Sequence, residues 1–267
     1  MLTLTASRVN AYRTCSWMYH LKYNEKLIPK TLSKALKVGG FVHMLMEKHH
    51  RGMLNDALPD PETFVKEMYP NSTEDALDVA MDALTLFSGY LRKYRDDKVK
   101  VESSETHLEM NLGDFNIYSR VDSLKRSEDG RLWRGEYKTA GRMDSLYLKG
   151  LKGGVQSGIA HLLLKETVPE RVSGTIYDIL VKTKVPQYER SFILQEKSIE
   201  KMTLECLQGT YRDIAAERFY RNMNCIQYNR ECEYALICQR DTQQNREAFY
   251  MEYTDPLGSD KNESEEE

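Results

Sequence analysis

The chain has 267 residues, a formal net charge of −3, and a composition of 40% hydrophobic and 30% charged residues. This is the composition of a soluble globular protein, and the charge argues against a broadly basic surface without excluding a local basic groove. No segment approaches the run of about 18 apolar residues that a membrane span needs, and the N-terminus lacks a signal-peptide pattern. We therefore expect a cytoplasmic protein that does not associate with a membrane.

The N-terminal residues 1–28 combine a helical apolar pattern with basic and aromatic side chains, among them Tyr12 and Arg13. The aromatic rings either pack in a core or form a lining on which the bases of single-stranded nucleic acid stack. The pattern alone leaves both interpretations open.

Three segments follow before the first predicted strand. Residues 33–51 are predicted to be helical, and His43 and Glu47 lie four residues apart on one face of that helix. Residues 55–72 contain three prolines and are predicted to be a loop with at most a short helix. Residues 74–96 have the apolar spacing of an amphipathic helix, which we interpret as a helical layer or lid.

The hydrophobic period changes near residue 99, where alternation predicts β-strands. Gly113-Asp114 and Asp129-Gly130 mark two hairpin turns. The predicted strands are 101–112, 115–125, 132–139, 174–182 and 188–194, with a possible strand at 247–253, and the helices after residue 140 are 144–165 and 197–221. The chain has no Walker-type loop and no dinucleotide fingerprint, so nothing in it indicates ATP hydrolysis.

The second hairpin carries the residues on which the functional prediction depends. Asp122 ends one apolar strand, and Glu136 and Lys138 lie on one face of the next strand, with Tyr137 on the other. The turn pairs the two strands and brings Asp122 beside Glu136. Two carboxylates and a lysine on rigid strands suit a divalent metal site for phosphodiester chemistry, although a surface ion pair on a solvated hairpin has the same spacing.

The chain has five cysteines, and four of them suggest a second site. Cys225, Cys232 and Cys238 are clustered near the C-terminus, and Cys15 lies far upstream. Four thiolates suit zinc or an iron–sulfur cluster, and the ligand type does not choose between them. Unrelated buried thiols are the alternative for the set, and a buried thiol is the better interpretation of Cys206.

In combination, these motifs resemble the RecB-like branch of the PD-(D/E)XK nuclease superfamily, particularly its iron–sulfur members. Those members include CRISPR-associated RecB-like exonucleases, AddB-type nuclease domains and stand-alone phage exonucleases. The resemblance runs from Ser7–Cys15 to Cys238 and leaves out the 55–97 region and the tail. The matched positions, in chain order, are Cys15, Gly39-Gly40-Phe41-Val42-His43, Ser119-Arg120-Val121-Asp122, Glu136-Tyr137-Lys138-Thr139, Gln156, Cys225, Cys232 and Cys238.

The sequence departs from the family pattern at several positions. Ser119 replaces a glycine, Val121 stands where the family name places proline, and Ala160 replaces a tyrosine that often follows the glutamine. The spacing of the C-terminal cysteines is looser than in many relatives. Ala160 affects the expected role of the glutamine helix, and the looser cysteine spacing affects the expected type of metal cluster.

The resemblance implies an α/β fold with a central mixed β-sheet flanked by helices, which is a restriction-endonuclease-like core. Residues 1–253 would form one nuclease domain with a helical insertion at about 52–98 and a cysteine-cluster segment at 222–240 joined to Cys15. Residues 254–267 are predicted to be a disordered acidic tail.

The resemblance also implies the roles of the site residues. Mg²⁺ or Mn²⁺ would be bound by His43, Asp122, Glu136 and the backbone carbonyl of Tyr137, and Lys138 and Gln156 would act on the water or the DNA. A structural 4Fe-4S cluster, with zinc as the alternative, would be bound by the four cysteines. DNA contacts are expected from Arg142, Tyr12 and Arg13, with a solvated loop position as the alternative for Arg142.

The expected function is a metal-dependent DNA exonuclease acting on single-stranded DNA or DNA ends. A role in recombination, repair or phage DNA metabolism is compatible, with the host cytoplasm as the location of a phage protein. Two alternatives remain: a non-catalytic nucleic-acid-binding protein with a structural cysteine-bound metal, and a CRISPR-adaptation nuclease that trims DNA ends. Each nuclease interpretation is compatible with a helicase, recombinase or integrase partner, or with a homo-oligomer.

Overall fold

The chain folds around a mixed β-sheet flanked by helices, as the α/β prediction requires. The computed structural model describes residues 1–31, 33–54, 58–68, 76–227, 230–255 and 257. The strands are β1 (Thr3–Leu4), β2 (Leu27–Pro29), β3 (Lys100–Asn111), β4 (Asn116–Arg126), β5 (Leu132–Ala140), β6 (Val172–Val181), β7 (Gln187–Leu194), β8 (Ile226–Gln227), β9 (Arg230–Glu231) and β10 (Tyr250–Glu252). The helices are α1 (Ala6–Thr14), α2 (Ser16–Tyr19), α3 (Lys34–His50), α4 (Pro61–Met68), α5 (Ala76–Lys93), α6 (Ser145–Lys152), α7 (Val155–Thr167), α8 (Lys197–Ala215), α9 (Ala235–Gln239) and α10 (Gln243–Phe249), and His20–Asn24 forms a π-helical turn.

Contacts along the chain divide it into two compact units. The first unit comprises Met1–Ala6 and Ser33–Glu205, and the second comprises Ser7–Leu32 and Cys206–Glu267. The single domain expected over residues 1–253 remains a prediction. The acidic tail that was predicted to be disordered lies, from residue 258 onward, outside the described residues.

The sheet of the first unit has six strands in the order β1-β4-β5-β6-β7, and β3 pairs with β4. The β3–β4, β4–β5 and β6–β7 pairs are antiparallel, whereas β1–β4 and β5–β6 are parallel. The parallel β5–β6 pair requires a crossover, and α6 and α7 occupy that connection. This is the mixed sheet that the sequence predicted.

Both predicted hairpin turns are confirmed. Leu112 N–H donates to Phe115 O at 2.9 Å across the first turn, and Gly130 N–H donates to Ser127 O at 2.9 Å within the second. Gly113 and Gly130 have φ values of +91° and +81°. Glycine adopts this left-handed conformation without the steric cost that a Cβ would add, which is why each turn contains one.

Alternation along β5 directs its residues to opposite faces of the sheet. Tyr137 packs into the core formed with α3, α4 and α5. Glu136 and Lys138 point to the other face, where both contact Gln156 at the start of α7. The predicted separation of Tyr137 from Glu136 and Lys138 is therefore confirmed.

The ladder along one edge of β4 is interrupted beside Asp122. β1 pairs with Asn116 and Ile117, and the β5 ladder begins only at Ser123. Asp122 thus lies where the two strands of the hairpin begin to diverge. An acidic side chain at this point reaches backbone groups that the ladder leaves unpaired.

Three predicted elements differ in their bounds. The helix predicted over 144–165 is two helices, α6 and α7, because Gly153 and Gly154 lie between them and Gly154 is the N-cap of α7. The helix predicted over 197–221 ends at Ala215. The possible strand at 247–253 is shorter, and its first residues belong to α10.

The second unit joins a segment near the N-terminus to one near the C-terminus. β2 pairs antiparallel with β10, and Lys30 N–H donates to Phe249 O at 2.9 Å. One of its clusters of buried apolar residues comprises Leu21, Tyr234, Ile237 and Tyr250. Among the described residues, no helix combines the length and hydrophobicity needed to cross a membrane.

Candidate active site

Asp122 lies at the centre of the candidate site and is 6% exposed. Its Oδ2 accepts a hydrogen bond from Tyr137 N–H at 2.9 Å, in place of a ladder bond, and lies 3.3 Å from His43 Nδ1 on α3. Burial raises the pKa of Asp122, but the contacts with His43 and the Tyr137 N–H outweigh burial, so this pKa lies below its ordinary value. Asp122 is therefore an ionised carboxylate at neutral pH.

Glu136, Lys138 and Gln156 form a compact polar triangle next to it. Glu136 Oε1 lies 2.6 Å from Lys138 Nζ and accepts from Gln156 Nε2 at 2.8 Å. Lys138 Nζ also donates to Gln156 Oε1 at 2.8 Å. Burial lowers the pKa of Lys138, so its ammonium gives up a proton more readily at neutral pH than an exposed lysine does.

Arg134 is a site residue that sequence reasoning missed. It is 1% exposed, and its Nη2 pairs with Glu136 Oε2, so both oxygens of Glu136 are engaged. Arg134 lies two residues before Glu136 and therefore on the same face of β5. That spacing was the available signal, but an arginine in a charged chain is ordinarily exposed.

Glu105 on β3 is a second residue that sequence reasoning missed. It is 8% exposed, and its carboxylate, Asp122 and His43 provide ligand atoms that all lie within 4.8 Å of one another. The pKa of Glu105 is raised to about 7, mainly by burial and also by the Asp122 carboxylate, although the Arg120 guanidinium opposes the shift. No sequence pattern singles it out, because it lies in a polar stretch of a long strand.

The donor set of this group fits the divalent metal that the family implies. One imidazole and two carboxylates form a mainly oxygen site of the kind that Mg²⁺ and Mn²⁺ prefer, and a buried oxygen of Glu105 accepts no hydrogen bond from the described residues. Two predicted ligands, His43 and Asp122, belong to this group, whereas Glu136 binds Arg134, Lys138 and Gln156 instead. The role of Glu136 as a metal ligand stays a prediction.

Tyr137 contributes its backbone to the site and its ring to the core behind it. Its N–H binds Asp122, its hydroxyl lies 2.6 Å from His50 Nε2, and Lys125 Nζ lies 4.3 Å from its ring centroid. This packing fixes the strand position of Glu136 and Lys138 on either side. The predicted use of the Tyr137 carbonyl as a ligand is untested.

The three residues predicted to contact DNA lie in different environments. The side chain of Arg142 is 90% exposed and only 3.7 Å from Asp144. In the second unit, the Tyr12 hydroxyl donates to Arg218 O at 2.8 Å, and Arg13 is exposed. The packing of Tyr12 favours a structural interpretation of its ring, and DNA binding by the other two stays a prediction.

The four predicted cluster cysteines all belong to the second unit. Burial raises the pKa of the Cys232 thiol, and the neighbouring thiols of Cys238, Cys15 and Cys225 raise it further. Cys232 N–H donates to Cys225 O at 2.7 Å, which ties two of the four together through the backbone. The thiols of residues far apart in the sequence are therefore close enough to affect the acidity of Cys232, and their role as ligands of a shared cluster stays a prediction.

His161 on α7 gives the first unit a predictable response to acid. Its Nε2 lies 2.9 Å from Thr175 Oγ1, and burial, together with the Arg134 guanidinium, lowers its pKa to about 3. An unfolded histidine titrates near pH 6.5, so between pH 6.5 and 3 the unfolded chain binds the extra proton and stability falls as the pH falls. We expect this residue to cost about 2 kcal/mol at pH 5 relative to pH 7.

Urea unfolding of His161→Gln at pH 7 and pH 5 tests this effect. The variant should lose less stability than the wild type over that interval. The matched control is His107→Gln, which changes an exposed histidine and should keep the wild-type decline. An identical decline in His161→Gln and the wild type would show that His161 is not the group responsible.

Comparisons with known proteins identify the family of this chain. Residues 3–239 match the model of the PD-(D/E)XK nuclease superfamily. A crystal structure of a candidate exonuclease from Eubacterium rectale is similar, with a TM-score of 0.58, 13% identity, and coverage of 90% of this chain and 88% of that one. The structure of SSO0001 is 15% identical, with coverage of 90% of this chain and 87% of that one, but its TM-score of 0.39 is too low to show a shared fold. No curated protein matches the chain in sequence.

The likeness to the Eubacterium rectale protein concerns the fold alone at this identity. The family model, by contrast, spans most of the chain and includes His43, Asp122, Glu136 and Lys138. The resemblance noted in the motifs and the mixed sheet with its hairpin are consistent with that match. The chain belongs to the PD-(D/E)XK nuclease superfamily.

Proposed function

We propose that this protein is a Mg²⁺- or Mn²⁺-dependent deoxyribonuclease of the RecB-like branch that removes nucleotides from single-stranded DNA or DNA ends. The observation that carries the proposal is the convergence of an ionised Asp122, His43, and the Glu136–Lys138–Gln156 triangle at the divergence of β4 and β5. A binding protein without chemistry has no need for a half-buried lysine of lowered pKa beside these carboxylates.

In this proposal each residue has a defined task. A divalent cation at the site supplies charge neutralisation at the scissile phosphate and a more acidic water. His43 and Asp122 would hold it, with Glu136 as the further carboxylate of the hairpin. Lys138 Nζ, of lowered pKa, would orient the attacking water and stabilise charge on the phosphate oxygens. Gln156 fixes the positions of Lys138 and Glu136 through its two hydrogen bonds.

Titration of Mg²⁺ and Mn²⁺ into a DNA degradation assay tests the proposed activity. The substrates are DNA strands labelled at the 5′ or 3′ end, in single-stranded and double-stranded form, with a covalently closed single-stranded circle as the control. We expect cation-dependent release of mononucleotides or short oligonucleotides from the linear strands and none in EDTA. Degradation of the circle at the same rate would contradict exonuclease action, and no degradation of any substrate would contradict the activity itself.

We further propose that Cys15, Cys225, Cys232 and Cys238 hold a 4Fe-4S cluster of structural role. The chemistry of the donor set supports this proposal: the four thiols come from two distant segments of the chain, and those of Cys15, Cys225 and Cys238 are close enough to affect the acidity of Cys232. Such a cluster would cross-link the second unit, because it would join Cys15 at the N-cap of α2 to Cys225 and Cys232 before α9 and to Cys238 within α9. A broad visible absorption band in anaerobically purified protein is the expected result, and a colourless protein containing zinc would contradict the iron assignment.

Cys232→Ala should lower stability and activity together. Loss of one thiolate weakens the proposed cross-link between the two chain ends, so we expect a fall in the melting temperature of several degrees, equivalent to about 2 kcal/mol or more. Cys206→Ala is the matched control, because Cys206 lies on α8 and is not among the thiols that affect Cys232. A Cys232→Ala protein that keeps its metal and its melting temperature would contradict the structural role.

A further inference from the structure

Glu105 on β3 lies opposite Asp122 on the neighbouring strand β4. Ser104 pairs with Ser123 and Thr106 pairs with Val121, so the register of β3 and β4 places Glu105 and Asp122 opposite each other. Side chains opposed in this way have Cβ atoms about 5 Å apart, and two carboxylates in such a pair repel each other. A cation that both can bind removes the repulsion.

Protein groups neutralise Glu105 only in part. Its Oε2 is buried and accepts no hydrogen bond from the described residues. Arg120 Nε lies 2.8 Å from that oxygen, but without the alignment of a hydrogen bond, and the Arg120 side chain is 55% exposed. An exposed partner of this kind is screened by water and contributes little, so Glu105 keeps an oxygen available for a stronger ligand.

The backbone at Glu105 is also unusual. Its φ is +48°, the left-handed conformation that side-chain-bearing residues rarely adopt, in the middle of a twelve-residue strand. Strained residues of this kind occur where the surrounding structure fixes a side chain for function. Here the result is a carboxylate whose ligand atom lies within 4.8 Å of those of His43 and Asp122.

We propose that Glu105 is a metal ligand, and that His43, Glu105 and Asp122 together bind the divalent cation of the active site. The inference deepens the proposed nuclease function and rests on it, because it concerns the same site. It adds β3 to the metal-binding elements, which the sequence had limited to α3 and the β4–β5 hairpin. Glu136, the further carboxylate of the hairpin, also holds Lys138 and Gln156 in place.

Mn²⁺ binding to the full chain without DNA tests this assignment. Free Mn²⁺ is measured by electron paramagnetic resonance in titrations of the wild type and Glu105→Gln. Loss of one carboxylate charge from the site should weaken binding about tenfold or more. Glu47→Gln is the matched control, because Glu47 is close enough to affect Glu105 but its carboxylate pairs with Arg51 at 2.9 Å, and it should bind Mn²⁺ like the wild type.

Melting temperatures separate ligation from a purely structural role. Without metal, Glu105→Gln should melt at or above the wild-type temperature, because a neutral amide relieves the repulsion with Asp122. On addition of Mn²⁺, its melting temperature should rise less than that of the wild type. A lower melting temperature without metal combined with wild-type Mn²⁺ affinity would overturn the proposal. If Glu105→Gln does not fold, Glu105→Asp replaces it: weakened Mn²⁺ binding supports the assignment, and wild-type binding overturns it.

The outcomes for this inference and for the proposed function are distinct. Metal binding that depends on Glu105, in a protein that degrades no DNA, supports the ligand and contradicts the nuclease. DNA degradation by a Glu105→Gln protein with wild-type Mn²⁺ affinity supports the nuclease and overturns the ligand.

Discussion

Lys138→Met should reduce DNA cleavage by about 10² to 10⁴-fold while Mn²⁺ binding stays close to that of the wild type. Methionine keeps the length of the side chain and removes the ammonium that lies 2.6 Å from Glu136 and 2.8 Å from Gln156. The loss should appear in the rate of a single turnover, because Lys138 acts on the reacting groups and is not a metal ligand. Arg134 continues to neutralise Glu136, so the fold should be retained.

The matched control for this variant is Lys149→Met on α6. It removes the same charge from an exposed position and should cleave DNA at the wild-type rate. Cleavage by Lys138→Met at the rate of this control would remove Lys138 from the reaction. A Lys138→Met protein that also loses Mn²⁺ binding would contradict the separation of the lysine from the metal site.

Asp178→Asn should destabilise the first unit by about 3 to 5 kcal/mol, the largest stability effect that we expect from a single substitution. Asp178 is 0% exposed, and its carboxylate binds Lys125 Nζ, Arg190 Nε at 2.5 Å and the Tyr90 hydroxyl at 3.0 Å. Removing its charge leaves the Lys125 ammonium, which is 1% exposed, without a carboxylate partner. A buried charge that has lost its partner is costly because nothing replaces its lost hydration.

Urea unfolding of four variants, Asp178→Asn, Lys125→Met, their combination and Glu170→Gln, measures this effect and its origin. The double variant Lys125→Met with Asp178→Asn should be about 1 to 3 kcal/mol more stable than the summed effects of the two single substitutions predict. Glu170→Gln, which breaks an exposed pair with Arg126, should cost at most about 1 kcal/mol. An Asp178→Asn effect as small as that of Glu170→Gln would contradict the importance of the buried network.

The hairpin and its main residues could be predicted because local patterns specify them. Gly113 and Gly130 mark turns that require a left-handed backbone, and strand alternation separates Tyr137 from its two neighbours. Asp122 and Glu136 are then brought together by a turn of known length. Information of this kind lies within a few residues of each position, which is why the sequence is sufficient for it.

The contribution of Glu105 could not be predicted, because it depends on the register between β3 and β4 and on one strained backbone angle. Arg134 and Lys125 present the same difficulty: in the sequence they resemble exposed charges, and only the packing of helices on both faces of the sheet buries them. Their burial is decided by contacts between distant segments. The end of α8 at Ala215 was missed for a related reason, since the helical apolar pattern continues past it.

The most direct test of the central claim compares Asp122→Asn with the wild type in Mn²⁺ binding and in Mn²⁺-dependent degradation of end-labelled DNA. Circular dichroism and the melting temperature without metal serve to confirm that the variant is folded. Because Asp122 lies between His43, Glu105 and the Tyr137 N–H, we expect a folded protein that loses both Mn²⁺ binding and DNA cleavage. A folded Asp122→Asn protein that degrades DNA at the wild-type rate would contradict the assignment of this site as a metal-dependent nuclease centre.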